Sequence, residues 1–236
     1  RLARPARLLG ALRMALGRHG PLAGRRLVIT AGGTREAIDP VRYIGNRSSG
    51  EMGVALAEAG VDAGASVLLI AGPGVREPEG ADLRRVESAR EMAAAVEAGV
   101  GSADALIMAA AVADFRPRTP AAQKIKKQPG EETMTVELVR NPDIVASVNG
   151  ARLIKVGFAA ETEQLLARAS EKLVAKDLAM IVANDAVRTI GQDRAEVTLL
   201  FRDGRPPLAL PELPKERVAR HIIEQLPGLI EARDRD

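Results

Sequence analysis

The chain has 236 residues, 46% of them hydrophobic but only 2% aromatic, so it can bury a sizeable core built from Ala, Val, Leu and Ile. It contains no Cys, which excludes disulfides, thiolate metal sites and a cysteine nucleophile. Its net charge of +3 rests on five Arg in residues 1–20; without them 29 basic residues face 31 acidic ones, so the body lacks the clustered positive charge of a nucleic-acid binder.

Residues 1–22 are basic and faintly amphipathic, and the chain does not begin with Met. They read as a linker or the remnant of a preceding domain, with residues 23–236 as the domain proper. No run reaches the ~18 apolar residues of a membrane helix, so no membrane partner is expected.

Arg26 to Thr30 read as a strand, followed by a glycine-rich turn, Ala31 to Glu36. Asn46-Arg47-Ser48-Ser49-Gly50-Glu51-Met52-Gly53 leads into a helix at about 50–60. Small residues at a helix start let a ligand approach free N–H groups at the positive end of the helix dipole, which suits phosphate. Capping of two ordinary elements is the plainer alternative.

A second strand covers Ser66 to Ile70, and a short one lies near Leu83 to Val86. Ser88 with Glu91 has capping-box spacing ahead of another helix. Ala105 to Ala110 read as a buried strand. Ala109, Ala110 and Ala111 leave its end open, and Asp114 follows within reach of a metal or hydroxyl.

The Lys-rich stretch Gln123 to Pro129, with Lys124, reads as a loop suited to a polyphosphate. Thr133 to Val139 alternate like a half-exposed strand. Asn141, Pro142, Asp143 and Ile144 read as a helix start, with Asn141 as N-cap and Pro142 in the first helical position. Leu153 to Phe158 form a strand and 162–176 a helix, with Lys172 and Lys176 on one face. Phe158 can stack on a base or simply fill the core.

Met180 to Ala183 form a strand, after which Asn184 and Asp185 read as a turn. Val197 to Phe201 and Pro206 to Leu210 form a hairpin, and a final helix runs from about Lys215 to Leu226.

Strands alternating with helices predict a doubly wound, Rossmann-like α/β fold. Its sheet is mainly parallel, helices cover both faces, and the C-terminal hairpin adds antiparallel strands. Polar groups after five strand ends fit a nucleotide site. A nicotinamide-dependent reductase fits less well, because no acidic residue ends the second strand and G-x-G-x-x-G is absent. A nucleotide-sensing module without catalysis is a third possibility. His19 and His221 lie far from every motif, so catalysis falls to Lys, Asn, Asp, backbone amides and a metal, as in phosphoryl or nucleotidyl transfer.

Thr30 to Glu36, Asp39 to Ile44, Asn46 to Gly50, Ala110 to Asp114, Lys124 to Lys127, Asn141 to Val145, Val156 to Thr162 and Ala183 to Asp185 stand in the order of a known pattern. Over about residues 25–225 the chain resembles phosphopantothenoylcysteine synthetase. The resemblance implies a cytoplasmic, homodimeric ligase of coenzyme A biosynthesis. Such an enzyme joins 4′-phosphopantothenate to L-cysteine with CTP and Mg²⁺ through an acyl-cytidylate. It also implies an N-terminal flavin-dependent decarboxylase in the same polypeptide.

By that resemblance Asn46 and Lys124 are catalytic, Asn46 also contacting the substrate and Lys124, on a flap, also contacting CTP, and Arg42 reaches across the dimer to the substrate phosphate. Ala110, Ala111 and Asp114 line the substrate and nucleotide pocket. Gly33, Ser48, Gly50, Gly53, Ala109, Asn141 to Ile144, Phe158, Lys172, Lys176 and Asn184 contact CTP. Glu51 stands where many bacterial members have Lys, and Gly33 where Pro is common.

Overall fold

A computed structural model of the chain describes residues 5–126, 130, 132–148, 150, 152–161, 164–185 and 192–235. Lys127, Pro129 and Thr162, each part of a motif above, lie outside them.

The parallel strands form where the sequence carries short apolar runs. They are β1 (Arg26–Ala31), β4 (Ser66–Ala71), β5 (Asp82–Arg85), β6 (Ala105–Met108), β9 (Ile154–Glu161) and β10 (Met180–Asp185). Strands β11 (Arg194–Phe201) and β12 (Leu208–Pro214) add the antiparallel hairpin. Together they make one eight-stranded sheet ordered β12-β11-β10-β9-β6-β1-β4-β5.

Helices cover both faces, since a parallel sheet must be buried on each side. On one face α2 (Glu51–Asp62), α6 (Lys215–Ile223) and α7 (Leu226–Arg235) pack on Leu27, Ile29, Val156, Val182 and Leu199. The other face carries α3 (Ala89–Val100), the four-residue α4 (Ile144–Ser147) and α5 (Leu165–Ala175). The chain leaves β1 toward β4 and β5, then returns to place β6 on the other side of β1. This reversal opens a crevice at the carboxyl ends of β1 and β6.

Two ribbons stand outside the sheet: β2 (Arg35–Ala37) with β3 (Tyr43–Gly45), and β7 (Phe115–Pro117) with β8 (Leu138–Arg140). Neither is legible as strands in the sequence, except that β8 is the end of the predicted Thr133–Val139 strand. That strand is shorter than expected because β7 offers a partner to only three residues, and Thr133 to Glu137 take no strand structure.

Further differences have local causes. Asp143, not Asn141, caps α4: its carboxylate accepts from the Ala146 N–H at 3.3 Å. The Asn141 amide is diverted to the Ala113 carbonyl at 2.8 Å. Asn184 and Asp185 do not turn but continue β10, paired with Ala160 and Glu161 of β9. The last helix is two helices, because Pro227 is tolerated in the first turn of α7 and Leu226, Leu229 and Ile230 anchor it in the core.

Residues 5–17 form helix α1, whose Arg13 reaches Asp62 at 2.6 Å and Glu79 at 3.4 Å. No helix among the described residues is long and apolar enough to cross a membrane.

Candidate active site

The crevice holds a cavity of about 980 Å³, within the range that encloses small-molecule ligands. Its floor is built at the switch point. Ala111, past the end of β6, bridges Gly33, past the end of β1, and its N–H donates to the Gly32 carbonyl at 2.8 Å. Two buried threonines fasten the same segment. The Thr30 hydroxyl accepts from the Ala110 N–H at 3.1 Å, and the Thr34 hydroxyl from the Ala113 N–H at 3.0 Å. Neither role was legible in the sequence, where Thr30 reads as a β-branched strand residue and Thr34 as part of a turn.

One wall is the Asn46–Gly53 segment, with Asn46, Ser48, Gly50 and Gly53 all lining the cavity. The Asn46 carboxamide donates to the Val112 carbonyl at 3.0 Å, which fixes it over the strand end. Gly33 does not line the cavity but permits this approach: a Cβ there would lie 2.5 Å from the Asn46 carbonyl oxygen. Gly50 precedes α2 with φ 77°, a left-handed conformation that L residues resist. Glu51 also lines the cavity, and its carboxylate is held by Arg76 at 3.2 Å.

Ala109, Ala110, Ala111 and Asp114 line the next wall, followed by Asn141, Pro142, Asp143 and Ile144. The Asn141 carboxamide oxygen accepts from Arg116 at 3.1 Å, so this side chain locks the β6 exit against the start of α4. Phe158, Asn184, Lys172 and Lys176 complete the expected set around the cavity. The Lys176 ammonium sits 3.0 Å from Asp143, tying α5 to the α4 N-cap.

Arg42 and Lys124 do not line the cavity. Arg42 belongs to a second assembly centred on Asp39, whose carboxylate is fully enclosed, and Lys124 directly precedes Ile125, which joins that assembly. Asp39 accepts from the Val41 and Arg42 N–H groups at 2.8 Å each, from the Arg42 guanidinium at 2.6 and 3.0 Å, and from the Ile125 N–H at 3.1 Å. Arg42 also donates to the Ile125 carbonyl at 2.9 Å. The loop that carries Lys124 is thereby pinned to the β2–β3 ribbon. Asp39 escaped notice in the sequence because Ile125 lies 86 residues away.

The Arg42 guanidinium, helped by these N–H groups, holds the Asp39 carboxyl well below the usual carboxylate range, against the burial that would raise it. A lowered folded-state pKa means the charge stabilises the fold above the unfolded carboxylate pKa and ceases to do so only as pH falls through the lower, folded value. Asp39→Asn removes that charge at every pH. Amide exchange at Ile125 is expected to speed up by about tenfold or more, because a bond to a charged acceptor is among the stronger ones. Unchanged exchange at Ile125 in the variant would show that Asp39 does not hold this loop.

Among the described residues no three acidic or His side chains converge to form a metal cage. The carboxylates that line the cavity are those of Glu51, Asp114 and Asp143.

A doubly wound α/β domain with a small-residue crevice at its switch point, walled by amides and cations, belongs to the broad class whose ligands bind at the carboxyl ends of the strands. Comparison with known proteins narrows the class. Residues 22–229 match the DNA/pantothenate metabolism flavoprotein C-terminal domain, and the chain belongs to that family, the one its motifs resemble. It is 48% identical over 218 residues to the coenzyme A biosynthesis bifunctional protein CoaBC of Vibrio parahaemolyticus, covering 89% of this chain and 54% of that protein. With CoaBC of Bacillus subtilis the figures are 43% over 216 residues, 89% and 52%. The chain thus spans about half the length of these curated relatives. The crystal structure of the C-terminal domain of CoaBC superposes with a TM-score of 0.77 at 38% identity, covering 90% of this chain and 99% of that one.

Proposed function

We propose that this domain is a phosphopantothenate–cysteine ligase. It joins 4′-phosphopantothenate to L-cysteine with CTP, releasing CMP and pyrophosphate, as a step of cytoplasmic coenzyme A biosynthesis. The observation that carries the reading is the convergence on one cavity of Asn46, Ala109–Ala111, Asp114, Asn141–Ile144, Phe158, Lys172, Lys176 and Asn184 from six separate stretches of chain. The names of the relatives point to the same pathway.

In the first half-reaction a carboxylate oxygen of phosphopantothenate attacks the α-phosphorus of CTP, and the bond to pyrophosphate breaks. Positioning and charge neutralisation suffice for this step. The α2 start offers N–H groups to phosphate, and Lys172 and Lys176 add positive charge. A Mg²⁺ brought in with the nucleotide would share in neutralising the triphosphate. In the second half-reaction the cysteine amine attacks the acyl carbon. CMP leaves with the former carboxylate oxygen, and the amine proton is lost to solvent.

The active unit is a homodimer in this reading. Val41 and Tyr43 of one ribbon region and Phe115 and Leu138 of the other are 60, 52, 45 and 41% exposed, an apolar surface beside Arg42 that a second copy would cover. Arg42 would then reach the phosphate of the substrate bound by the partner. A flavin-dependent decarboxylase domain in the same polypeptide, as the bifunctional names of the relatives suggest, would supply the other catalytic half.

The test is pyrophosphate release with CTP, 4′-phosphopantothenate and cysteine, omitting each in turn. Release must require CTP and phosphopantothenate, and turnover beyond the intermediate must require cysteine; release independent of phosphopantothenate would refute the ligase. CTP is expected to outperform ATP by about a hundredfold or more. Polar groups near Asn184 that hydrogen-bond cytosine would be left unpaired by adenine. Equal kcat/KM for the two nucleotides would refute that selectivity.

A further inference from the structure

Lys215 has no place in the mechanism above, yet it lines the same cavity. Only 7% of its surface is exposed. Its backbone N–H donates to the Asp193 carbonyl at 3.0 Å, but among the described residues no hydrogen bond or ion pair reaches its ammonium. No fully buried polar side-chain atom among the described residues lacks a partner. The ammonium therefore keeps some access to solvent, and the cavity is the space it borders.

Its placement is unfavourable for stability alone. Lys215 is the first residue of α6, at the positive end of the helix dipole, where a cation is repelled. A lysine this enclosed is normally paired, because burying its charge is otherwise uncompensated. Ala195 and Val197 of β11 and Asn184 of β10, which line the same cavity, are apolar or neutral. None of these supplies a counter-charge.

The sheet face also matters. Val218, Ala219 and Ile222 of α6 join the core on the side covered by α2, whereas Ala169 and Leu173 of α5 pack on the opposite side. Lys215 thus stands on the face whose helix start at Ser48–Gly53 offers N–H groups, across the strand ends from Lys172 and Lys176. Cations flank the cavity from both faces.

We propose that Lys215 is an anion-binding residue of this cavity whose missing counter-ion is a phosphate oxygen of the bound ligand. The inference rests on the ligase reading for the ligand's identity, and two sources share the chemistry: the triphosphate of the nucleotide and the phosphate of 4′-phosphopantothenate.

The experiment compares wild type, Lys215→Met and Lys215→Arg by calorimetry with three probes: Mg²⁺–CTP, 4′-phosphopantothenate and inorganic tripolyphosphate. Lys215→Met is expected to weaken one of the two natural ligands by about tenfold to a hundredfold, the loss of one charge-assisted contact. Tripolyphosphate should weaken in parallel if the source is the nucleotide, and stay unchanged if it is phosphopantothenate. Lys215→Arg should recover most of the affinity. The melting temperature of the Met variant should equal or exceed that of the wild type, since a buried unpaired cation is removed.

Unchanged binding of all probes in the Met variant would overturn the proposal. So would a loss that Arg does not restore together with a lowered melting temperature, which would make Lys215 a structural residue. Failure of wild type to release pyrophosphate would sink the ligase reading alone, because probe affinities of wild type and variant are compared without turnover.

Discussion

Asn46→Ala is expected to stop the enzyme halfway. Activation of the carboxylate should proceed near the normal rate, whereas capture by cysteine should fall by roughly a hundredfold or more, the scale on which misplacing a reacting group acts. The Asn46 carboxamide nitrogen is engaged by its 3.0 Å bond to the Val112 carbonyl at the edge of the cavity, and in the proposed reaction its oxygen would orient the incoming amine. Mass spectrometry of the quenched reaction should show accumulated acyl-cytidylate. Normal yield of phosphopantothenoylcysteine from the variant would remove Asn46 from the second half-reaction.

Lys124→Gln is expected to act on the first half-reaction instead. Lys124 borders no part of the cavity. Its loop is anchored through the Ile125 N–H to Asp39. A cation that meets the phosphates only as pyrophosphate departs lowers the barrier without tightening CTP binding. Loss of one such donor costs ~3 kcal/mol, or roughly a hundredfold in rate. Calorimetric CTP affinity should change little while single-turnover formation of the cytidylate slows. Collapsed binding with a normal rate in the bound complex would make Lys124 a simple phosphate contact.

The two variants separate the steps because their residues stand on different supports. Asn46 belongs to the wall tied through Val112 to the floor where Gly33 and Ala111 bridge. Lys124 belongs to the Asp39 assembly, which couples a loop to a ribbon far away in sequence.

Periodicity explains why much of this was legible in advance. Apolar runs such as Leu27–Ile29 and Leu106–Ile107 can only be buried parallel strands when helices alternate with them, and small residues at their ends mark the crevice. The ribbons β2–β3 and β7–β8 were hidden because three-residue strands carry no periodic signal. The break before α7 was hidden because Pro227 and Gly228 look like a stop when a buried Leu226 and Leu229 make them a start. Lys215 reads as an ordinary solvated charge ahead of a polar helix; only the packing of α6 against the sheet encloses it. Asp39 and Thr34 share that limitation, since their partners lie 86 and 79 residues away.

The acyl-cytidylate is the centre of the account, and oxygen transfer tests it most directly. Phosphopantothenate labelled with ¹⁸O in its carboxylate is turned over with CTP and cysteine, and the nucleotide and pyrophosphate products are analysed by mass spectrometry. Attack on the α-phosphorus predicts one ¹⁸O in CMP and none in pyrophosphate. CDP as product, or CMP without the label, would contradict the mechanism.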